Sequence, residues 1–198
     1  PLDGLIITGA PVEHLPFEKV NYWKELVSLI EESKLKCAST LGLCWAGFAM
    51  AYMAGVEKNN FNKKLFGVYP MRSLVPGHSL MGTQDDEFLC PQSRHAGLSD
   101  IEMEKAEKNG KLRLLAHGEK VGYTIFETPD QRQLMHLGHP EYNVDRLKSE
   151  MERDKKRGDV PPPENFDLNK SNTSWRSHRN LLFQQWLWFC YQRVSLKV

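Results

Sequence analysis

The sequence predicts an α/β fold built on an open, mostly parallel sheet that is flanked by helices. Near the start of the chain, apolar runs and helical segments follow one another in the order strand, helix, strand, helix. This order is typical of a parallel sheet with crossover helices. More apolar runs follow, and 198 residues suffice for one domain with a sizeable core. We therefore predict a single domain over residues 1–198.

The first four elements are predicted within the first 53 residues. A buried strand covers residues 2–8 and ends at the turn 9–11. From residue 17 to 33, apolar residues recur at the spacing of a helix. A second strand, at residues 38–43, leads directly into a helix at Trp45–Met53.

The rest of the chain is predicted to supply strands first and helices last. Turn residues separate the apolar runs in the middle of the chain. The strands are predicted at residues 65–69, 84–89, 112–116, 122–127 and 133–137. A helix at 143–155 and an extended proline-rich linker at 159–164 lead to a last helix at 180–194. We expect this aromatic-rich helix to pack on the sheet, with part of its face available for a dimer contact.

Composition and charge exclude several classes of protein. Lys and Arg number 26 against 25 Asp and Glu, so no basic field indicates a nucleic acid or membrane partner. No apolar run approaches the ~20 residues of a membrane span, and no signal-peptide pattern opens the chain. The four cysteines lack a CxxC pair, which argues against a disulfide framework and a metal site. A cytoplasmic location fits best. Because the chain opens on a strand at Pro1 without Met, we expect a piece of a longer polypeptide.

Cys44 is the candidate nucleophile. It lies between an apolar strand and a helix, and Gly42, Ala46 and Gly47 let the backbone turn sharply around it. This is the pattern of a nucleophile elbow, and a helix N-terminus favours a thiolate. The alternative is a cysteine that acts as a small buried hydrophobe. We interpret the other cysteines in that way: Cys37, Cys90 and Cys190.

His139 is the candidate base, since it follows an apolar run and should lie at the C-terminal end of a strand, where catalytic groups collect in open α/β sheets. Glu141, two residues later, is a candidate to orient it. The turn at Gly9 and Ala10 should lie beside Cys44, so that its backbone N–H groups, with that of Trp45, can form an oxyanion hole. These residues predict nucleophilic catalysis through a thioester.

Other polar residues have both a functional and a simpler interpretation. Lys64 precedes a glycine-containing strand and can bind an acyl group or CoA, or be solvated. The pair Ser93-Arg94 can bind a small carboxylate or form an ordinary surface turn. Arg153, on the helix after His139, can point back toward the strand ends or be exposed.

Several segments together resemble the homoserine O-acyltransferases of the homoserine transsuccinylase family, which have a class I glutamine-amidotransferase-like, flavodoxin-like fold. The resemblance covers nearly the whole chain in order, and its motifs are specific. Members carry a further N-terminal segment, so we expect that part of the fold to be absent here. The matching positions are 3–11, 22–23, 40, 44–46, 64–65, 67–69, 85–86, 91, 93–94, 138–142, 174–178 and 180–183.

The resemblance implies a role for each matching residue. Cys44 becomes the acylated nucleophile, His139 the general base, and Glu141 the group that orients it. Lys64 and Ser93 are implied to lie in the substrate pocket. The resemblance implies no metal and no bound cofactor, with acetyl-CoA or succinyl-CoA as co-substrate.

Two further residues concern the choice of substrate. The resemblance implies that Arg153 binds the carboxylate of the amino acid. It also implies that a glutamate at Glu13 selects acetyl-CoA, because a carboxylate there fills space and repels a succinyl group. The chain departs from the family pattern at residues 70–77, 82–85 and 91–94, which flank the acceptor pocket.

These observations predict a homoserine O-acetyltransferase of methionine biosynthesis that works by a ping-pong route and forms a homodimer. The alternatives are a serine O-acetyltransferase and a homoserine O-succinyltransferase. A cysteine hydrolase of the glutaminase type and an inactive paralogue are more remote, since glutaminases usually carry Gly where this chain has Ala46.

Overall fold

A single seven-stranded sheet organises the part of the chain that the structure, a computed structural model, describes: residues 2–81, 84–156, 158, 162–167, 169 and 173–195. The order across the sheet is β1-β2-β7-β6-β5-β3-β4. The strands are β1 Gly4–Ile7, β2 Ser39–Leu43, β3 Lys58–Ser73, β4 Glu87–Leu98, β5 Arg113–Gly118, β6 Gly122–Glu127 and β7 Gln133–His136.

The pairing of the strands corrects one expectation. Strands β1, β2 and β7 run parallel, but the other neighbours all pair antiparallel. The sheet is therefore open and mixed rather than mostly parallel. The reason lies in the connections, because the few residues between β5 and β6, and between β6 and β7, can join only antiparallel strands.

Helices cover both faces of the sheet. After a short 3-10 helix at Phe17–Lys19, they are α1 Trp23–Lys36, α2 Trp45–Met53, α3 Asp100–Lys108, α4 Val144–Lys155 and α5 Arg176–Ser195. The helix predicted at 17–33 is thus divided in two. Helix α3 was not predicted, since its charged sequence buries only Met103 and Ala106. None of the helices in these ranges is long and apolar enough to cross a membrane.

Some predicted bounds are confirmed and others are wrong. The strand at 122–127 and the helix at Trp45–Met53 are where the sequence places them. The strand predicted at 84–89 is shifted to Glu87–Leu98, because it pairs with the long β3 from Arg72↔Glu87 to Lys58↔Leu98. Two predictions fall partly outside the described residues. They are the departure from the family pattern at 82–85, of which residues 82–83 are not described, and the linker at 159–164, of which residues 159–161 are not described.

The described residues form three apolar clusters, and two of them hold α1, α2, α3 and α5 against the sheet. One joins α1, α2 and α3 to one face through residues such as Ile30, Phe48 and Met103. The other holds α5 on the opposite face through Trp186 and Phe189, so the expected packing of the last helix on the sheet is confirmed. Successive residues of β7 contribute to opposite clusters, as strand geometry requires.

Candidate active site

Cys44 lies at a strained turn between β2 and α2. Its φ of 51° and ψ of −118° are uncommon for a residue with a side chain. The turn is fixed on both sides, because Cys44 N donates to the His136 carbonyl at 2.8 Å and Phe48 N donates to the Cys44 carbonyl at 3.2 Å. A Cβ on Gly42 would lie 2.4 Å from Met50 Sδ. The local sequence therefore forms the predicted elbow.

His139 lies beside Cys44 on the loop that follows β7. Its Nδ1 is 2.7 Å from Glu141 Oε1, and its ring stacks on Tyr142 with centroids 4.1 Å apart. Burial alone lowers the pKa of His139, but the charge and hydrogen bond of Cys44, together with Glu141, raise it to about 10. The structure thus brings a thiol, an imidazole and a carboxylate together in the predicted order.

The turn after β1 packs against the elbow. A Cβ built on Gly9 would lie 3.2 Å from Cys44 Cβ, 3.5 Å from its Sγ and 3.8 Å from His139 Cε1. Ala10 is the next residue of this turn, and Trp45 is the first residue of α2. The backbone of the three predicted oxyanion residues is therefore close to the thiol, and their role as donors stays a prediction.

The three predicted substrate residues meet at one carboxylate oxygen, which sequence reasoning missed. Glu150 Oε1 accepts from Lys64 Nζ at 2.7 Å, from Arg153 Nη2 at 3.0 Å and from Ser93 Oγ. Ser93 belongs to β4 and not to a surface turn. Because α4 carries Glu150 to strands β3 and β4, residues distant in sequence form one cluster.

A second buried carboxylate completes this charged cluster. Asp154 Oδ2 accepts from Lys64 Nζ at 2.6 Å, and Asp154 Oδ1 accepts from Arg153 Nε at 3.0 Å. Glu150 and Asp154 are four residues apart and so share one face of α4. Two cations and two anions balance here, and the Arg153 side chain remains 45% exposed. The only signal in the sequence is the i, i+4 spacing of the two acids beside Arg153.

Tyr142 connects the charged cluster to the candidate catalytic residue His139. Its ring stacks on His139, and its backbone carbonyl accepts from Trp175 Nε1 at 2.8 Å. Burial and the neighbouring Glu150 carboxylate both raise the pKa of its hydroxyl. The Tyr142 ring therefore lies between Glu150 of the cluster and His139.

Glu13 lies in the loop that follows the Gly9 turn and is half-buried. Its backbone carbonyl accepts from Lys58 Nζ. Burial lowers the pKa of Lys58, and the Glu13 carboxylate opposes this shift, so the two charges interact. A place for Glu13 on the wall of an acyl pocket stays a prediction.

Replacing Glu150 by glutamine is expected to reduce the acid sensitivity of the fold. Burial alone raises the pKa of Glu150, but Lys64 and Ser93 lower it to about 2, below the value of ~4.3 in an unfolded chain. The resulting stability, about 3 kcal/mol by linkage, is complete above pH ~4.3 and is lost as the pH falls toward 2.

Urea unfolding between pH 7 and pH 3 measures this difference. The exposed Glu152 on the same helix supplies the control, Glu152→Gln. Equal free energies of unfolding for the two variants across this range would contradict the contribution of Glu150.

Among the residues that the structure describes, no group of three or more His, Cys, Asp or Glu side chains is arranged to hold a metal ion. All four cysteines are free and buried.

The chain is similar to known acyltransferases over nearly its whole length. The family model of homoserine O-succinyltransferase matches residues 1–196. A homoserine O-acetyltransferase of Geobacillus sp. (strain WCH70) is 41% identical over 200 residues, which cover 97% of this chain and 65% of the relative. One of Streptococcus pneumoniae (strain Taiwan19F-14) is 41% identical and is matched over 93% of this chain and 60% of the relative. The chain therefore spans somewhat less than two thirds of these relatives.

Solved structures with a similar fold are glutamine amidotransferases. One from Methylobacillus flagellatus has a TM-score of 0.72 at 14% identity and covers 94% of this chain and 76% of its own. One from Thermotoga maritima has a TM-score of 0.66 at 15% identity and covers 95% and 76%. At this identity the likeness shows the fold alone, and it confirms the predicted glutamine-amidotransferase-like class.

Proposed function

Because the chain belongs to the homoserine O-succinyltransferase family, we propose that the complete protein transfers an acyl group from acyl-CoA to the hydroxyl of homoserine, with acetyl-CoA as donor. The observation that carries this proposal is the strained Cys44 beside the His139–Glu141 pair. A cluster with the charges needed to hold an α-amino acid lies on the other side of the Tyr142 ring from His139.

The first half of the reaction acylates Cys44. The thiolate attacks the thioester carbonyl of acetyl-CoA, and a tetrahedral oxyanion forms. We assign the stabilisation of its negative charge to the backbone N–H groups of Gly9, Ala10 and Trp45. The carbon–sulfur bond to CoA then breaks, and the CoA thiolate takes the proton that His139 carries. The products are acetyl-Cys44 and free CoA.

The second half transfers the acetyl group to the acceptor. Neutral His139 takes the proton of the homoserine hydroxyl while its oxygen attacks the acetyl-Cys44 carbonyl. The thioester bond breaks, and the thiolate returns beside the imidazolium. The product is O-acetylhomoserine, an activated precursor in methionine synthesis.

The charged cluster suits the zwitterionic end of the acceptor. We assign the α-carboxylate to Arg153 and Lys64, and the α-ammonium to Glu150, whose carboxylate already accepts three hydrogen bonds. The acceptor would replace ion pairs within the cluster by ion pairs with its own carboxylate and ammonium groups. Each charge of the cluster would therefore keep a partner of opposite sign. This argument selects an α-amino acid with a side-chain hydroxyl, and it supports serine as well as homoserine.

Glu13→Gly is expected to raise the use of succinyl-CoA relative to acetyl-CoA tenfold or more. A carboxylate on the acyl pocket excludes succinyl through lost volume and like-charge repulsion, and each ~1.4 kcal/mol is tenfold in selectivity. The measurement is kcat/KM for both donors in the wild type and the variant.

Glu13→Gln is the matched control, since it keeps the volume and removes the charge. Lys58 lies close enough to weaken the repulsion, so the volume should account for most of the effect. If the wild type prefers succinyl-CoA, or the donor ratio does not change in Glu13→Gly, the assignment of the donor is wrong.

Mass spectrometry of the full-length protein after mixing with acetyl-CoA tests the proposal directly. An acetyl adduct on the peptide that contains Cys44, discharged by homoserine, is the expected result. A steady-state panel of homoserine and serine with both CoA thioesters then identifies the substrates. Glutamine hydrolysis without an adduct would overturn the proposal in favour of an amidotransferase.

The proposal includes a homodimer in the cytoplasm. Leu187, Trp188 and Tyr191 form an exposed apolar face on α5, which is suited to a second copy of the chain. A reducing compartment keeps the Cys44 thiol free for catalysis. Sedimentation equilibrium measures the oligomeric state.

A further inference from the structure

Arg94, on β4, is a buried cation whose hydrogen-bond partners carry no charge. Its side chain is 0% exposed. The guanidinium donates from Nε to Gln92 Oε1 at 2.9 Å, from Nη1 to the Ala96 carbonyl at 2.6 Å and from Nη2 to the Val121 carbonyl at 2.6 Å. None of the carboxylates in the described ranges forms an ion pair with it. Arginine is almost never fully buried unless it is paired, so the charge itself needs an explanation.

The guanidinium lies close to the first turn of α2, the helix that follows Cys44. Arg94 Cζ is 5.9 Å from the centre of the Phe48 ring, and Phe48 N is hydrogen-bonded to the Cys44 carbonyl in the first turn of α2. Gln92, which accepts from Arg94, packs against Gly138, where a Cβ would lie 2.6 Å from Gln92 Nε2. Arg94 is therefore close to the segments that carry both the nucleophile and the base.

Three ionisable groups act on Arg94, and only one of them suits a counter-charge. Burial lowers the pKa of Arg94 to about 10, and Cys44, Cys90 and Tyr69 oppose this shift, Cys44 most strongly. Burial also raises the pKa of the Cys90 thiol, and it raises that of Tyr69 to about 12. Both groups are therefore neutral at pH 7. Cys44, whose charge acts most strongly on Arg94, is therefore the group left as its partner.

The other titratable groups near the thiol lie on β7 and in the loop after it. His136 is buried on β7, and burial lowers its pKa to about 3, so it carries no charge at neutral pH. His139 is acted on by Cys44 and Glu141. On the β1 side, the Glu13 carboxylate interacts with Lys58. Two cations therefore interact with Cys44, Arg94 from β4 and His139 from the loop after β7.

We propose that the buried guanidinium of Arg94 is a fixed counter-charge for the Cys44 thiolate, and that it acts on the nucleophile through space. It is a positioning residue, since it touches neither the acyl donor nor the acceptor. The inference rests on the proposed function only in taking Cys44 as the nucleophile. It also explains why Ser93 and Arg94 have separate tasks, because neighbouring residues of a strand point to opposite faces.

The test is the pH dependence of Cys44 alkylation by iodoacetamide, followed by peptide mass spectrometry in the full-length protein. Arg94→Met should raise the pH of half-maximal rate by at least about one unit, the shift that a unit charge causes at roughly 12 Å with an effective dielectric constant of roughly 20. Arg94→Lys, which keeps the charge, should stay within about 0.3 unit of the wild type. An unchanged profile in Arg94→Met, or equal shifts in both variants, would overturn the proposal.

Arg132→Met is the matched control. Arg132 also donates to two backbone carbonyls, those of Lys34 and Cys37, but it precedes β7 and so lies at the opposite end of the paired strands β2 and β7 from Cys44. Its loss changes the net charge equally and should leave the alkylation profile unchanged. A shift as large as that of Arg94→Met would show that the effect is not local.

Repeating the measurement in the His139→Ala variant shows whether Arg94 acts on the Cys44 thiolate itself or only through His139. In His139→Ala, the shift caused by Arg94→Met should persist if Arg94 acts on the thiolate. It should vanish if Arg94 acts only by fixing Gln92 behind Gly138, and that result would contradict the proposal. If Arg94→Met does not fold, His139→Ala alone should still be alkylated with a midpoint below ~8.5, the value of a free cysteine, and a higher midpoint would count against the inference.

Alkylation needs no acyl-CoA, so this result does not depend on the acyl-transfer assay. Absence of an acetyl adduct would contradict the proposed function and leave the alkylation profiles valid. An Arg94→Met profile identical to that of the wild type would contradict the counter-charge and leave the function in place.

Discussion

Cys44→Ser is expected to abolish acyl transfer while the protein stays folded. The change is nearly isosteric, so the hydroxyl should fit the strained elbow in which the thiol is held. A serine hydroxyl is a much weaker acid than a thiol, however, and forms no stable ion pair with His139. The measurements are kcat with acetyl-CoA and homoserine, and the thermal unfolding midpoint.

The matched control is Cys37→Ser. Cys37 is equally buried but follows α1, away from the histidine, so its variant should keep the turnover of the wild type. Should Cys44→Ser retain that turnover, the covalent route would have to be abandoned.

The elbow could be predicted because its signal is local. A short apolar strand, a cysteine with Gly42 and Ala46 two residues to either side, and an immediate helix occupy about fifteen consecutive positions. The structure adds the reason for Gly42, whose Cβ would meet Met50 of α2. The parallel pairing of β1 and β2 is predictable for a related reason, since the crossover helix α1 connects them.

The antiparallel half of the sheet could not be derived in the same way. Apolar runs predict strands but not their direction, which depends on the length of each connection and on the partner strand. The polar residues at the start of β3 extend the strand beyond its apolar part only because β4 pairs with them, from Asn60↔Ala96 to Lys58↔Leu98. That pairing is a tertiary contact that no local pattern encodes.

The charged cluster shows the same limit within the site. Lys64, Ser93 and Arg153 carry over from the family resemblance, but each is as consistent with a solvated surface as with a pocket. Their common partner, Glu150, lies 86 residues from Lys64, and its acidity follows from contacts that exist only after folding. A buried network of this kind becomes visible only in three dimensions.

His139→Gln is expected to lower kcat by at least ~10²-fold, the usual contribution of a general base. The imidazole is held by Glu141 at Nδ1, which leaves its other nitrogen to exchange a proton with Cys44, with CoA and with the acceptor. Glutamine has a similar shape but cannot carry that proton. A decrease of only two- or three-fold would make His139 a structural residue.

Glu141→Gln supplies the comparison that separates orientation from proton transfer. The Glu141 side chain is 36% exposed, so water can replace part of its contact, and the loss should be smaller than for His139→Gln. The pH profile gives a second readout. Because Glu141 helps to raise the pKa of His139 to about 10, the imidazolium is present below that pH and is lost above it. Removing the carboxylate lowers that pKa, so activity should begin to fall at a lower pH in the variant. If the activity of Glu141→Gln falls at the same alkaline pH as that of the wild type, and kcat is unchanged, Glu141 does not orient His139.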